Sequence, residues 1–432
     1  MKERLVPVFV VGPLLLGIPV ATRSLMVAAA FAAVVVLALM LVILGLDRTS
    51  VWTMVAAFAL APCVGVVVPG FRFFTISDVL ILVSIGLALP RLMARRLWLP
   101  PAFVIGSLAF VTISVLAGLQ SSSPGGSFYY SARVILAVIL IPALLVWWSP
   151  RGRILVTLVL AYAAGTFVSV LVGVVEAGGS RSAGLTQHPN VFGYTAVLTL
   201  ALLPFLARTL AKSHRAWICV TVFGIAFLGI MISGSRAALV VALVLLVLVP
   251  AAERSIIAAL AVLGSGLVAI LAFGQRIEAG GDGQDALSRL LGAGNVERSD
   301  RARIEGVETV WASALEHPLL GSGFTFSDFV AHNAYAQIAA AAGFLGLAAF
   351  AVVCASMVTP LFSKDNVHRQ LAYPAVVFLI AAPVSPNLTD RYIGILLGLS
   401  MVGAVAVHEA RRGILPEGQA QEPSGPPVSR RS

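Results

Sequence analysis

Residues 233–254 read SGSRAALVVALVLLVLVPAAER. No residue between Arg236 and Glu253 carries a charge. At 1.5 Å of rise per residue such a helix is about 27 Å long, close to the roughly 30 Å hydrocarbon core of a bilayer. The Ser-Gly-Ser-Arg opening and the Glu-Arg close read as its two water-facing ends. Apolar runs of this kind recur from Leu5 to Val407 in a chain of 432 residues that is 59% hydrophobic and 11% charged, with mean hydropathy +0.98. The expected fold is an all-α polytopic membrane protein. We read about 14 transmembrane helices, or about 12 if the short pairs near the N-terminus do not fully span.

The first run, Leu5 to Ala21, follows Lys2 and Arg4 but contains Pro13 and Pro19 and no convincing small-residue cleavage site, so it reads as a first helix and not a signal peptide. Cys63, Cys219 and Cys354 lie inside apolar runs and read as packing residues. The formal charge is +10, yet the positive residues are scattered over short loops and form no stripe, which argues against nucleic acid as a partner. Orientation explains most of them. With the N-terminus inside, the cytoplasmic loops hold Arg48, Arg91, Arg95, Arg96, Arg151, Arg153, Arg208, Lys212, Arg215, Arg254, Lys364, Arg369, Arg411 and Arg412, the positive-inside pattern. Both termini are then cytoplasmic, in a bacterial inner membrane.

Residues 1–412 read as one transmembrane domain, and the Pro/Gly/Gln/Ser-rich residues 413–432 as a disordered cytoplasmic tail. Outer loops are expected at Thr22-Arg23, Pro69–Thr75, Gln120–Tyr130, Glu176–Gln187, Ser233–Arg236 and Pro383–Arg391. One long loop covers residues 274–331, with a helix from Ser299 to Glu316 lying on the membrane surface. In that helix Ile304, Val307, Trp311 and Ala314/Leu315 share a face, Ser299 is the expected N-cap, and His317-Pro318 ends it. Pairing within the helix accounts for Arg301 with Glu305 and Glu308.

Three polar motifs each open an apolar run: Gln187-His188-Pro189-Asn190, Ser233-Gly234-Ser235-Arg236, and His332-Asn333-Ala334-Tyr335-Ala336-Gln337. Helix N-termini carry unpaired N–H groups and partial positive charge, and so attract phosphates. Guanidinium forks match phosphate oxygens, and arginines crowd the expected outer face: Arg72, Arg133, Arg181, Arg236, Arg301, Arg303 and Arg391. A membrane-bound diphosphate is the ligand this pattern suits; headgroup snorkelling is the plainer account of any one arginine. His332 is the candidate base. Expected in the first turn of a helix, it has electropositive surroundings that favour a neutral imidazole, which can take a proton from an attacking hydroxyl; the plainer reading is a cap. For His188, followed by Pro189 at a helix start, the cap reading is the simpler one. Asn190, Ser235, Asn333, Tyr335 and Gln337 are candidate pocket residues, and Gly343 and Gly346 read as helix-packing points. The outward carboxylates have no metal-ligand spacing, and no phosphate-cradling Gly-Lys-Ser/Thr loop is present. No metal or other cofactor is expected.

Taken together, Gly184–Gly193, Ser233–Arg236, Arg303 with His317-Pro318-Leu319-Leu320-Gly321-Ser322-Gly323, and His332-Asn333 with Tyr335, Gln337, Gly343 and Gly346 resemble the O-antigen ligase and polymerase-like membrane glycosyltransferases. The resemblance spans about residues 180–350. It implies a type C glycosyltransferase-like fold and transfer of a glycan from a polyprenyl-diphosphate carrier to an acceptor hydroxyl on a lipid, glycan or protein, at the outer face, with inversion and without a metal. Carried over by motif, His332 is the base, Arg236 and Arg303 hold the diphosphate, and Arg301 is the rival of Arg303. Residues before about Val175 match no motif of that family. A polymerase of lipid-linked repeats is the close alternative, and a flippase of a lipid-linked anion the distant one. The latter predicts an internal repeat and deeply placed charges, and neither is evident.

Overall fold

The computed structural model describes residues 25–68, 71–95, 97–176, 181–254, 286–290, 296–325, 332–363, 367–384 and 387–412. The expected first helix at Leu5–Ala21, the apolar run after Arg254, much of the 274–331 loop and the 413–432 tail lie outside these residues. Eleven helices among the described residues are long and apolar enough to cross a membrane. The chain is an all-α polytopic membrane protein. Its one piece of described extended structure is a hairpin of β1 (Val67–Val68) and β2 (Phe71–Thr75), where a turn was expected.

The helices, in chain order, are α1 (Leu25–Leu60), α2 (Ile76–Met93), α3 (Pro101–Gln120), α4 (Pro124–Ile135), α5 (Ile141–Trp148), α6 (Gly152–Glu176), α7 (Pro189–Thr209), α8 (Lys212–Ser233), α9 (Arg236–Glu253), the short α10 (Ala286–Leu290), α11 (Val296–Glu316), α12 (Ala334–Val358), α13 (Tyr373–Ala381) and α14 (Arg391–Arg411). A π-helical turn, Leu136–Leu140, joins α4 to α5. The chain divides into two compact units, one drawn from residues 1–97, 157–203 and 216–298, the other from 98–156, 204–215 and 299–432.

In the first unit, α1 is broken at Gly45 (φ 77°, ψ 171°). The break falls three residues before Arg48, where the sequence reading places a loop between two helices. Thr49 Oγ1 bonds the Met40 carbonyl across it at 2.9 Å. Lipid offers helices little hydrophobic reason to associate, so hydrogen bonds and close packing hold them together. Ser50 and Ser84 exchange bonds between α1 and α2, at 2.8 Å and 2.7 Å to each other's carbonyls, and Ser77 Oγ bonds the Ala57 carbonyl at 2.8 Å. Thr75 and Asp78 form a capping box at the start of α2. Gly165 of α6 lies directly on the Ala59 carbonyl, leaving no room for a Cβ.

In the second unit, α14 packs against the π-helical turn, α5, α12 and α13. Gly394 rests on the Ala137 carbonyl inside that turn. At the far end of α14, Trp98 stacks on His408 with ring centroids 4.0 Å apart, and Arg151 makes a forked ion pair with Glu409 at 2.9 Å and 3.1 Å.

Helix α12 is interrupted at Gly343 (φ 67°, ψ −178°). The segment after α11 mends the interruption. Ser322 and Gly323 donate their N–H groups to the Ala340 and Ala341 carbonyls at 2.9 Å and 3.0 Å, and Phe344 N–H donates to the Pro318 carbonyl at 2.8 Å. Each of these backbone groups would otherwise be left unpaired in an apolar interior. The expected packing glycine at 343 is therefore a helix break, set against the Leu319 backbone. Phe324, fully buried, ends the segment with its N–H on Ser127 Oγ at 2.9 Å and its ring edge-on to Phe110.

Candidate functional site

The first unit brings two of the sequence motifs together. Pro189 opens α7 as expected, and Ser235 caps α9 by accepting from Ala238 N–H at 3.3 Å. The turn before it needs Gly234 at φ 61°. Arg181 joins the two helix starts, its Nε donating to the Ser233 carbonyl at 3.1 Å and its Nη2 to Asn190 Oδ1 at 2.7 Å. Gly193 admits α9 closely, since a Cβ there would come within 2.8 Å of Ala238 and Ser233. His188 Nδ1 accepts from Asn190 N–H at 3.1 Å, the cap contact that proline at the first helical position suggested. Arg236 stands partly buried at the first position of α9. Arg289, from α10, reaches the same turn and donates to the Gly234 carbonyl at 3.1 Å. Sequence reasoning did not single out Arg289. It lies in a stretch with no clear periodicity, and only its contact reveals it.

The second unit carries the rest. Asn333 is the N-cap of α12, its Oδ1 accepting from the N–H groups of Tyr335 and Ala336 at 3.1 Å and 3.0 Å. His332 therefore sits one residue before the cap, at φ 49°, and not in the first turn as expected. Tyr335 points its hydroxyl to the Leu379 carbonyl of α13 at 2.8 Å. Gln337 is fully buried and neither atom of its amide has a hydrogen-bond partner. An unpaired buried amide is costly, which makes it a natural place for a water or a ligand hydroxyl.

Helix α11 starts at Val296, so Ser299 lies inside it and is not its N-cap. Its inward face is also rotated from the expected one. Val310 and Ala314 are buried against Ala336, Ala339 and Ala340, with Val307 and Trp311 partly covered, whereas Ile304 and Leu315 are 58% and 68% exposed. Trp311 stacks near Phe344 at 6.2 Å. At 100° per residue, Arg303 shares the face of Val307, Val310 and Ala314 and is partly buried, while Arg301 is exposed. The expected pairing of Arg301 with Glu305 and Glu308 is absent; among the described residues no ion pair joins them, and all three are exposed.

Residues 221–351 match the family model described as O-antigen ligase. The match begins within α8 and ends within α12, so it contains the Ser233–Arg236 turn, the α11 arginines and the His332–Gln337 start of α12. The Gly184–Gly193 motif precedes it. Over these residues, less than half of the chain, the protein is similar to that family, and the likeness supports glycan transfer in general. No curated protein matches the chain.

Proposed function

We propose that this protein transfers a glycan from a polyprenyl-diphosphate carrier to an acceptor hydroxyl at the outer face of the bacterial cytoplasmic membrane, with inversion and without a metal. The O-antigen ligase match over residues 221–351 carries the proposal, and the chemistry of the residues within it supplies the mechanism. As the glycosidic C–O bond breaks, negative charge grows on the departing diphosphate. Guanidinium groups and helix N-termini fixed beforehand stabilise that charge more than the ground state.

Arg236, at the capped start of α9, and Arg303, on the inward face of α11, are the diphosphate holders; the exposure of Arg301 favours Arg303 over it. His332 takes the proton of the attacking hydroxyl. Asn190, Ser235, Asn333 and Tyr335 act mainly as caps and braces of the helix starts, with His188 in a cap contact of its own. The unpaired amide of Gln337 is the pocket group that supports a direct ligand contact best. The activated lipid supplies the free energy, and the acceptor is a lipid, a glycan or a protein.

The test is His332→Ala in reconstituted vesicles, with insertion and protein level checked. Transfer is expected to vanish while the protein remains intact, and full activity would remove the base role.

A further inference from the structure

In the second unit, α12 changes character at Gly343. From Ala334 to Gly343 none of its residues is exposed. Beyond the break an open apolar stripe begins with Phe344 and Leu345 and continues through Val352 to Phe362, at the end of the 3-10 turn Thr359–Phe362. Phe344 to Phe362 spans about 27 Å at 1.5 Å per residue, close to the roughly 30 Å of a hydrocarbon core. The whole apolar run Ala334–Phe362 has 29 residues, which exceeds that thickness by about 13 Å. Helix α3 ends at the same level. It stops at Gln120, and the next residue, Ser121, lies against Gly323, where a Cβ would come within 2.7 Å of its side chain. Gly323 in turn bonds the Ala341 carbonyl at 3.0 Å. Both helices therefore leave the apolar layer near Gly343. There the apolar surface passes sideways from α12 to α11 and the segment after it. Trp311 stacks near Phe344 at 6.2 Å, Pro318 accepts from Phe344 N–H at 2.8 Å, and Leu315 and Leu319 are 68% and 66% exposed.

Helix α11 carries three arcs. Val307, Val310 and Ala314 face α12. Ile304, Trp311 and Leu315 lie within about 40° of one another on the next arc, at 100° per residue. Glu308, Arg301, Glu305 and Glu316, all exposed, follow beyond it. Protein takes the first arc and water suits the third. The middle arc is apolar, open, and continuous with the lipid-facing stripe of a spanning helix, which is how an amphipathic helix meets a bilayer edge. A tryptophan at that edge suits headgroup depth. We propose that Ile304, Trp311, Leu315 and Leu319 rest in the lipid of one leaflet, whose hydrocarbon edge lies at Gly343 and Phe344. Val307 and Ala314, expected on the same apolar face, are given to α12 instead. Ala334–Ala342 then stand outside the hydrocarbon, with Gln337 about 9 Å beyond its edge along the helix. A ligand group that meets the Gln337 amide does so at headgroup depth. None of this requires glycan transfer; the membrane fold alone carries it.

The test uses the full chain in nanodiscs of phosphatidylethanolamine and phosphatidylglycerol, with Cys63, Cys219 and Cys354 replaced by alanine. A spin label is attached in turn to Ile304→Cys, Leu315→Cys and Leu319→Cys, with Val352→Cys as the lipid-facing control and Glu305→Cys and Ala312→Cys as the water-facing ones. All these positions are exposed, so a label is accommodated without repacking. Collisions with oxygen, which concentrates in lipid, are compared with collisions with a water-soluble nickel chelate. Labels at 304, 315 and 319 are expected to favour oxygen several-fold, as at 352, while those at 305 and 312 favour nickel. A nickel preference at 304, 315 and 319 would put the middle arc in water. Protection from both agents there, with 352 still open to oxygen, would put protein on it. Either result overturns the proposal, and neither depends on whether the chain transfers a glycan.

Discussion

At the scale of single residues, charge placement is the main theme. Arg236→Lys should lose most transfer activity in the vesicle assay, because an ammonium keeps the charge and loses the planar fork. An unchanged rate in that variant would mean the fork is unused. Asp390 allows a second prediction. Burial pushes its carboxyl from 3.8 up to about 6, against the pull of Arg133 and Arg391 in the other direction. A carboxyl raised in the folded state holds its proton more tightly there than in the unfolded chain. Its favourable contribution is therefore complete below the unfolded value and is lost as pH rises through about 6. Asp390→Asn removes the ionisable group. The variant should melt higher than the parent at pH 7.5, and the gap should close at pH 4. A gap that widens on acidification would contradict this account.

At the scale of elements, the starts of α7 and α9 were legible because proline and serine fix helix beginnings through local chemistry: a missing N–H at Pro189, a side-chain acceptor at Ser235. The face of α11 was misread for a physical reason. Periodicity shows that Ile304, Val307, Trp311 and Ala314/Leu315 lie near one another around the helix, but not where on that arc the neighbouring protein lies. Ala314 of that set is packed, together with Val310 from outside it, because α12 offers a small-residue surface of Ala336, Ala339 and Ala340. The role of Pro318 to Gly323 was equally hidden, since its partners are carbonyls freed only by the break at Gly343. Gly343→Ala should be strongly destabilising: the backbone is left-handed there and a Cβ would strike Leu319. A fall in the yield and melting temperature of the purified protein is expected, with Gly224→Ala, which has open space around it, as the tolerated comparison.

For the whole molecule, composition alone settled the fold class, because a bilayer leaves few architectures in which backbone groups are satisfied. The arrangement of the site was less legible. Gln337 appeared in the sequence only as one residue of a polar motif, and its lack of hydrogen-bond partners depends on what packs around it. The proposed chemistry requires positions 236 and 332 to face the same side of the membrane. Single cysteines placed there, in a background lacking Cys63, Cys219 and Cys354, should both react with an impermeant maleimide added from outside; reaction at opposite sides would end the proposal. Deleting the protein should separate ligase from polymerase by mass spectrometry of the carrier lipid. Long lipid-linked chains should accumulate if it is a ligase, and single repeats if it is a polymerase.

The mending of α12 by the stretch that precedes it has a mechanical consequence. A chain segment laced into an interrupted helix acts as a dowel, fastening the end of α11 to α12 through the backbone bonds of Ser322, Gly323 and Phe344. Inserting one residue between Glu316 and Ser322 should carry those donors off their carbonyls and lower the melting temperature of the purified protein.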